Sequence, residues 1–165
     1  MKTKEELEKN IAKPLQENEY QLGKYKIILS TSVIMVIEKY IQNDSKKNEA
    51  GGVLLGSMVG NTIHVLKASI PNGFDKATRT SFVRDNNVAQ VILDFEFANS
   101  QDTIFYLGDW HTHPEEHPSP STQDTQMAHE QFKKSQLSQP LTIMLIRGTK
   151  GWYISLYDGK GTYLR

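Results

Sequence analysis

Gly108-Asp109-Trp110-His111-Thr112-His113-Pro114, followed by Glu115-Glu116-His117-Pro118-Ser119-Pro120-Ser121-Thr122-Gln123-Asp124, is the stretch on which the chain turns. The residues before it, Thr103 to Leu107, are β-branched, aromatic or aliphatic and predict a buried strand. Continued through Trp110, that strand puts His111 and His113 on one face. Pro114 then stops the ladder, because it offers no backbone N–H. A polar, proline-broken segment leads to Ser121 and Asp124, where the pattern predicts a helix from Thr122 to about Leu137. Catalytic zinc takes three protein ligands from His, Asp, Glu or Cys and keeps a fourth position open. His111, His113 and Asp124 make such a set. Ser121-Thr122-Gln123-Asp124 is equally an ordinary S-x-x-D box, whose serine caps a helix and whose acid faces its free N–H groups. The two readings are compatible, since a helix N-terminus can hold Asp124 rigidly while it ligates.

The pattern His-x-His-Pro-x6-Ser-x2-Asp, here His111-Thr-His113-Pro114 through Ser121 to Asp124, resembles the motif of the JAMM (JAB/MPN+) zinc metalloproteases. That family also carries an upstream glutamate just before a Gly-rich apolar strand, which Glu49-Ala-Gly-Gly-Val-Leu-Leu-Gly56 matches. By itself Glu49 only ends the polar run Asn43 to Asn48. The resemblance covers roughly residues 25 to 157. It implies a cytidine-deaminase-like α/β fold, a Zn2+ cofactor and hydrolysis of a peptide or isopeptide bond. It also implies Glu49 as general base and then acid, and Ser121 as hydrogen-bond donor to the oxyanion. One Ser121 hydroxyl serving both as cap and as oxyanion donor is hard to reconcile.

The Gly-Asp-Trp-His-Thr-His-Pro form and the small single domain further resemble bacterial JAB proteins encoded beside ubiquitin-transfer-like enzymes in CBASS anti-phage operons. Those remove a conjugated protein from its target. The implied partners are a protein substrate with an extended C-terminal tail and a ubiquitin-transfer-like enzyme. Three alternatives stay open: a JAB peptidase processing sulfur-carrier precursors or small peptides, a RadC-like protein, and a non-enzymatic MPN-type scaffold. RadC proteins have a different approach strand from Leu107-Gly108-Asp109-Trp110, and the scaffolds lose the ligands that this chain keeps.

Composition narrows the rest. At 165 residues, one domain can bury roughly two-thirds of its unfolded surface. Nineteen basic and nineteen acidic residues cancel, so no basic field recommends nucleic acid or an anionic membrane. The absence of cysteine excludes disulfides and thiolate zinc sites. No stretch is long and apolar enough to span a bilayer and no secretory segment opens the sequence, so the expectation is a cytoplasmic protein. Residues 1–21 are polar and predict an N-terminal extension, in which Thr3 could cap a short helix bearing Leu7 and Ile11 before Pro14. Residues 22–165 form the domain.

Within it, Tyr25 to Leu29 predicts a strand, and Ser30 or Ser32 caps a helix with Val33, Val36, Ile37, Tyr40 and Ile41 inward. Gly52–Val59 and Thr62–Ile70 are strands joined at Gly60-Asn61, a two-residue hairpin signal. His64 points outward from the second. Pro71 to Asp85 reads as a polar loop with Lys76, Arg79 and Arg84, which the resemblance makes a substrate flap. Asn86 or Asn87 caps a helix whose core face is Val88, Val91, Ile92 and Phe95. Trp110 packs on the opposite strand face from His111, and His129 is solvated. Leu141–Ile146 is a strand, and Trp152–Tyr157 with Thr162–Leu164 is a hairpin around Asp158-Gly159. The sum is α/β, a mixed sheet flanked by helices.

Overall fold

Gly60 takes a φ of +59°, the left-handed conformation a two-residue hairpin needs. It joins β3 (Gly51–Val59) to β4 (Thr62–Ala68) in antiparallel register. The computed structural model describes residues 18–134 and 140–164. The expected Thr3 cap and the end of the 122–137 helix lie outside them. Around the β3–β4 hairpin the chain adds β1 (Glu19–Leu22), β2 (Tyr25–Leu29), β7 (Phe105–Thr112), β8 (Thr142–Arg147), β9 (Trp152–Tyr157) and β10 (Thr162–Leu164). The eight strands form one sheet in the order β1-β2-β4-β3-β7-β8-β9-β10. Pairings β2–β4 and β7–β8 are parallel and the others antiparallel, so the sheet is mixed, as expected. β3 and β7 therefore lie centrally, buried between neighbours.

Two cores sandwich the sheet. On one face Ile27, Leu29, Leu54, Trp110 and Leu145 pack with Val33 and Ile37 of α1 (Thr31–Glu38). Ser30 caps this helix by accepting from Val33 N–H. Glu38 ends it, and Tyr40 reaches the core from the following turn, its ring 5.7 Å from that of Trp110. Trp110 is 1% exposed and its Nε1–H donates to Ser69 O at 2.9 Å, the packing role expected of it. On the other face Val53 and Leu55 meet Ala89, Ile92 and Leu93 of α2 (Asn86–Asn99), and α3 (Thr122–Lys134) lies against β8.

Several expectations need correction. The sheet begins at Glu19, and Tyr20 and Leu22 are buried, so the stretch read as an extension to Gln21 gives its last residues to β1. Two inward side chains among charged neighbours are too few to show a period of two. The loop from Pro71 to Asp85 contains a small hairpin, β5 (Lys76–Thr78) with β6 (Ser81–Val83). Asp85, not Asn86 or Asn87, caps α2, accepting from Val88 N–H at 2.9 Å. Of the residues assigned to its core face, Val91 and Phe95 are 68% and 63% exposed. That helix is apolar around much of its circumference, so period alone cannot choose the face that packs. His129 is not simply solvated: its ring lies 4.4 Å from that of Tyr157.

Candidate metal centre

Leu107 and Trp110 both point into the α1-side core although three residues apart, an odd spacing that a regular strand forbids. A bulge resolves this. Against β3, Gly108 pairs with Leu54 and Tyr106 with Leu55, leaving Leu107 unpaired. The extra residue flips the phase of the strand end, so Asp109 and His111 face the α2–α3 side while Trp110 stays inside. Gly108 permits it: φ is +152°, and a Cβ there would lie 2.0 Å from Ile143 O on β8. At the strand end and just past it the direction is kept by Thr112 N–H donating to Ala50 O at 2.9 Å and His113 N–H to Arg147 O at 3.0 Å.

His111 and His113 meet the first turn of α3. Ser121 N–H donates to Asp124 Oδ2 at 2.8 Å, and Asp124 N–H to Ser121 Oγ at 3.1 Å, a reciprocal capping box that fixes the acid. Asp124 Oδ2 then lies 3.3 Å from His111 Nε2 and 3.1 Å from His113 Nε2, and the two Nε2 atoms are 3.1 Å apart. A tetrahedral zinc with ligands at about 2.0–2.1 Å asks for ligand atoms roughly 3.4 Å apart. The triangle therefore fits the ion in both donor type and spacing. Because Ser121 Oγ acts as an acceptor in the cap, its own proton remains free to be donated, which removes the conflict between its two expected roles.

Glu49, 5% exposed, precedes β3, and its N–H donates to Thr78 O of the β5–β6 hairpin at 2.8 Å. Its Oε1 is 3.7 Å from His113 Nε2. Burial pushes its pKa up to about 7, with His113 opposing and the Asp124 and Glu115 charges adding to the rise. Burial works against a charge on His113, yet hydrogen bonds to Asp124 and Glu115 and the Glu49 charge outweigh it, raising the pKa to about 9. Burial likewise opposes ionisation of Asp124, but its bonds to His111, His113 and Ser121 N–H hold the carboxyl well below the usual range. The carboxylates around His113 thus favour positive charge on its ring. All five residues singled out in the sequence, Glu49, His111, His113, Ser121 and Asp124, come together here.

Two features escaped the sequence reading. Glu115 Oε1 lies 3.0 Å from His113 Nδ1, although an acid beside a proline reads as surface. Arg84 Nε donates to Asp109 Oδ1 at 2.5 Å, the Tyr106 hydroxyl donates to Asp109 Oδ2, and the guanidinium sits 5.9 Å from the Tyr106 ring. Arg84 follows the hairpin immediately, so this cluster ties the hairpin to β7. Between them runs a cleft beside His111 and Asp124, lined by Phe82, Val83, Met127, Gln131 and Met144.

Residues 39–158 match the family described as prokaryotic homologs of the JAB domain. Over 132 residues the chain is 35% identical to a Pseudomonas aeruginosa protein named CD-NTase/cGAS isopeptidase, covering 80% of this chain and 83% of that one. A Vibrio cholerae protein of the same name is 29% identical, with 78% and 80% covered. A probable metalloprotease of Sinorhizobium fredii is 27% identical, with 77% and 81% covered. A Desulfitobacterium hafniense protein solved in solution shares the fold, with a TM-score of 0.61 over 84% of this chain and 89% of that one at 21% identity. By the span of the family match and by its identity to the P. aeruginosa relative, the chain belongs to the prokaryotic homologues of the JAB domain.

Proposed function

We propose that the protein is a zinc-dependent isopeptidase that removes a conjugated protein from its target, in a CBASS-type anti-phage system of the bacterial cytoplasm. The observation that carries the chemistry is the triangle of His111, His113 and Asp124 with the Glu49 carboxyl 3.7 Å from one of its corners. The names of the relatives support the bond type and the conjugated substrate. Among the described residues, no helix is long and apolar enough to cross a membrane.

His111, His113 and Asp124 would hold Zn2+, which when bound acidifies water and polarises a carbonyl. Glu49 accepts the proton of the attacking water and passes it to the leaving amine nitrogen. A carboxyl with a pKa near 7 is suited to both halves of that task at neutral pH. Ser121 Oγ–H donates to the oxygen on which negative charge develops. The cleft beside the centre, between β6 and α3, receives the extended tail, and main-chain hydrogen bonds to the β5–β6 hairpin hold it as an added strand.

A tail fused to the C-terminus of a folded protein and extended by a few residues tests this reading. Cleavage at the junction is expected, with little turnover of the matching free peptide, which lacks the binding energy of the folded body. Equal efficiency on both would favour a small-peptide hydrolase. No cleavage of either by zinc-loaded protein would favour a scaffold.

A further inference from the structure

Glu115 directly follows the proline that ends the histidine pair, and its main chain is clamped by the turn after β8. Thr149 N–H donates to Glu115 O at 2.8 Å, and Lys150 and Gly151 N–H donate to Glu116 O at 3.1 and 2.9 Å. Gly148 allows the approach, since a Cβ there would lie 2.6 Å from both carbonyl oxygens. So held, the Glu115 side chain turns back and sets Oε1 3.0 Å from His113 Nδ1. The same oxygen accepts from Ser119 N–H at 3.0 Å, which fixes the carboxylate from its other side.

Imidazole chemistry gives this contact a consequence. Neutral histidine carries a proton on one ring nitrogen and a lone pair on the other, and an ionised carboxylate can only accept. Once the ring is neutral, as a ligand to a cation must be, Glu115 accepting from Nδ1–H leaves the lone pair on Nε2, the atom that faces His111 and Asp124. The opposite tautomer would point a proton into the triangle. The two histidines also differ in support. His111 sits within β7, paired with Gly51 of β3 and Ile146 of β8, whereas His113 lies past the strand end. Among the described residues, His111 makes its polar side-chain contacts through Nε2 alone.

We propose that Glu115 is a positioning residue for the metal centre, holding His113 as its Nδ1–H tautomer with the Nε2 lone pair directed at the cation. This rests on the metal reading given above and adds a fourth residue to it, one that touches neither metal nor substrate. Glu116 supplies the internal contrast: it is adjacent and equally charged, but pairs with Lys150 at 3.0 Å. If overall negative charge in the loop were what mattered, the two acids would behave alike.

The test is the zinc dissociation constant of the full chain, measured by competition with a chromophoric chelator. Outer carboxylate partners of ligand histidines are typically worth about 10–100-fold in metal affinity. Glu115→Ala is expected to bind zinc weaker by that factor. Glu115→Gln should lose less, because its amide oxygen still accepts from Nδ1–H, and this variant carries the test if the alanine form fails to fold. Glu116→Ala should bind as the wild type does. In the zinc-loaded protein, the exchangeable Nδ1–H proton of His113 should resonate far downfield and move or broaden in Glu115→Ala, a signature that mere loop support would not alter. Unchanged zinc affinity in Glu115→Ala, or an equal loss in Glu116→Ala, overturns the assignment. A wild-type protein that takes up no zinc would overturn the metal reading itself, an outcome distinct from both.

Discussion

Glu49 shows how one residue can be set by its surroundings for a task that its type alone does not announce. Its carboxyl is removed from water, and its pKa of about 7 lies well above the ordinary 4.5. Glu49→Gln keeps the volume and loses the proton acceptor. Turnover should fall by about 10²–10⁴-fold, the usual worth of general acid–base catalysis, while elemental analysis finds zinc undiminished. His111→Ala and Asp124→Ala should do the reverse and lose most of the metal, because the incomplete triangle binds far more weakly. Full zinc content in either would remove that residue from the ligand set. The raised pKa carries a second consequence. A buried carboxylate with a folded pKa above its unfolded value costs stability wherever it must ionise. Zinc-free Glu49→Gln should therefore melt at or above the wild-type temperature at pH 8.

At the scale of elements, the bulge in β7 and the cluster beneath the hairpin do the positioning. Gly108→Ala would place a methyl group 2.0 Å from Ile143 O in a backbone conformation that L residues rarely adopt. Strain of that kind costs about 1–3 kcal/mol before the clash is counted, read as a lower urea midpoint. Zinc affinity should drop as well, since the bulge sets which face His111 occupies. A variant as stable as the wild type would mean that β7 can take the register without it. The hairpin depends on a different contact. Asp109→Ala strands a half-buried guanidinium, a loss of about 1–3 kcal/mol. Amide exchange of Ser81 to Val83 should then accelerate more than that of β8. Uniform acceleration would show that the cluster supports the whole domain rather than the hairpin.

For the molecule as a whole, the centre couples stability to pH. His113 has a folded pKa of about 9 against an ordinary 6.5. Its stabilisation is complete below about pH 6.5 and lost as pH rises through 9. Glu49 acts in the same direction between about 4.5 and 7. Zinc-free protein should therefore melt at progressively lower temperature from pH 6 to pH 9. The rise in melting temperature on adding zinc should grow over the same range, because the ion competes with the proton on His113. A flat or rising zinc-free profile, followed by calorimetry, would contradict the environment assigned to His113.

Much of this was legible in the chain because local chemistry writes it there. Short runs of apolar and aromatic residues marked β2, β4 and β9, Gly60-Asn61 marked a hairpin, and a proline after two alternate histidines marked a strand end bearing candidate ligands. Ser121 and Asp124 declared a helix start in any context. Other features had no local signature. Glu49 and His113 are 64 positions apart, and only pairing of β3 with β7 brings their side chains within 3.7 Å. The bulge at Leu107 reversed the face of the strand end, which a reading by alternation would have turned toward the α1-side core. Helix α2 was apolar on too many sides for its period to select Ala89 over Val91 and Phe95. Tyr106 read only as part of a buried strand, Arg84 only as one cation of a polar loop, and Asp109 and Glu115 carried no role of their own until the fold set each beside its partner. Periodicity and turn chemistry depend on neighbours along the chain, so the sequence alone determined the elements and the His-x-His-Pro motif with its following Ser and Asp. Face, register and hydrogen-bond partner depend on what lies across space, so the tertiary structure alone decided how those residues became one centre.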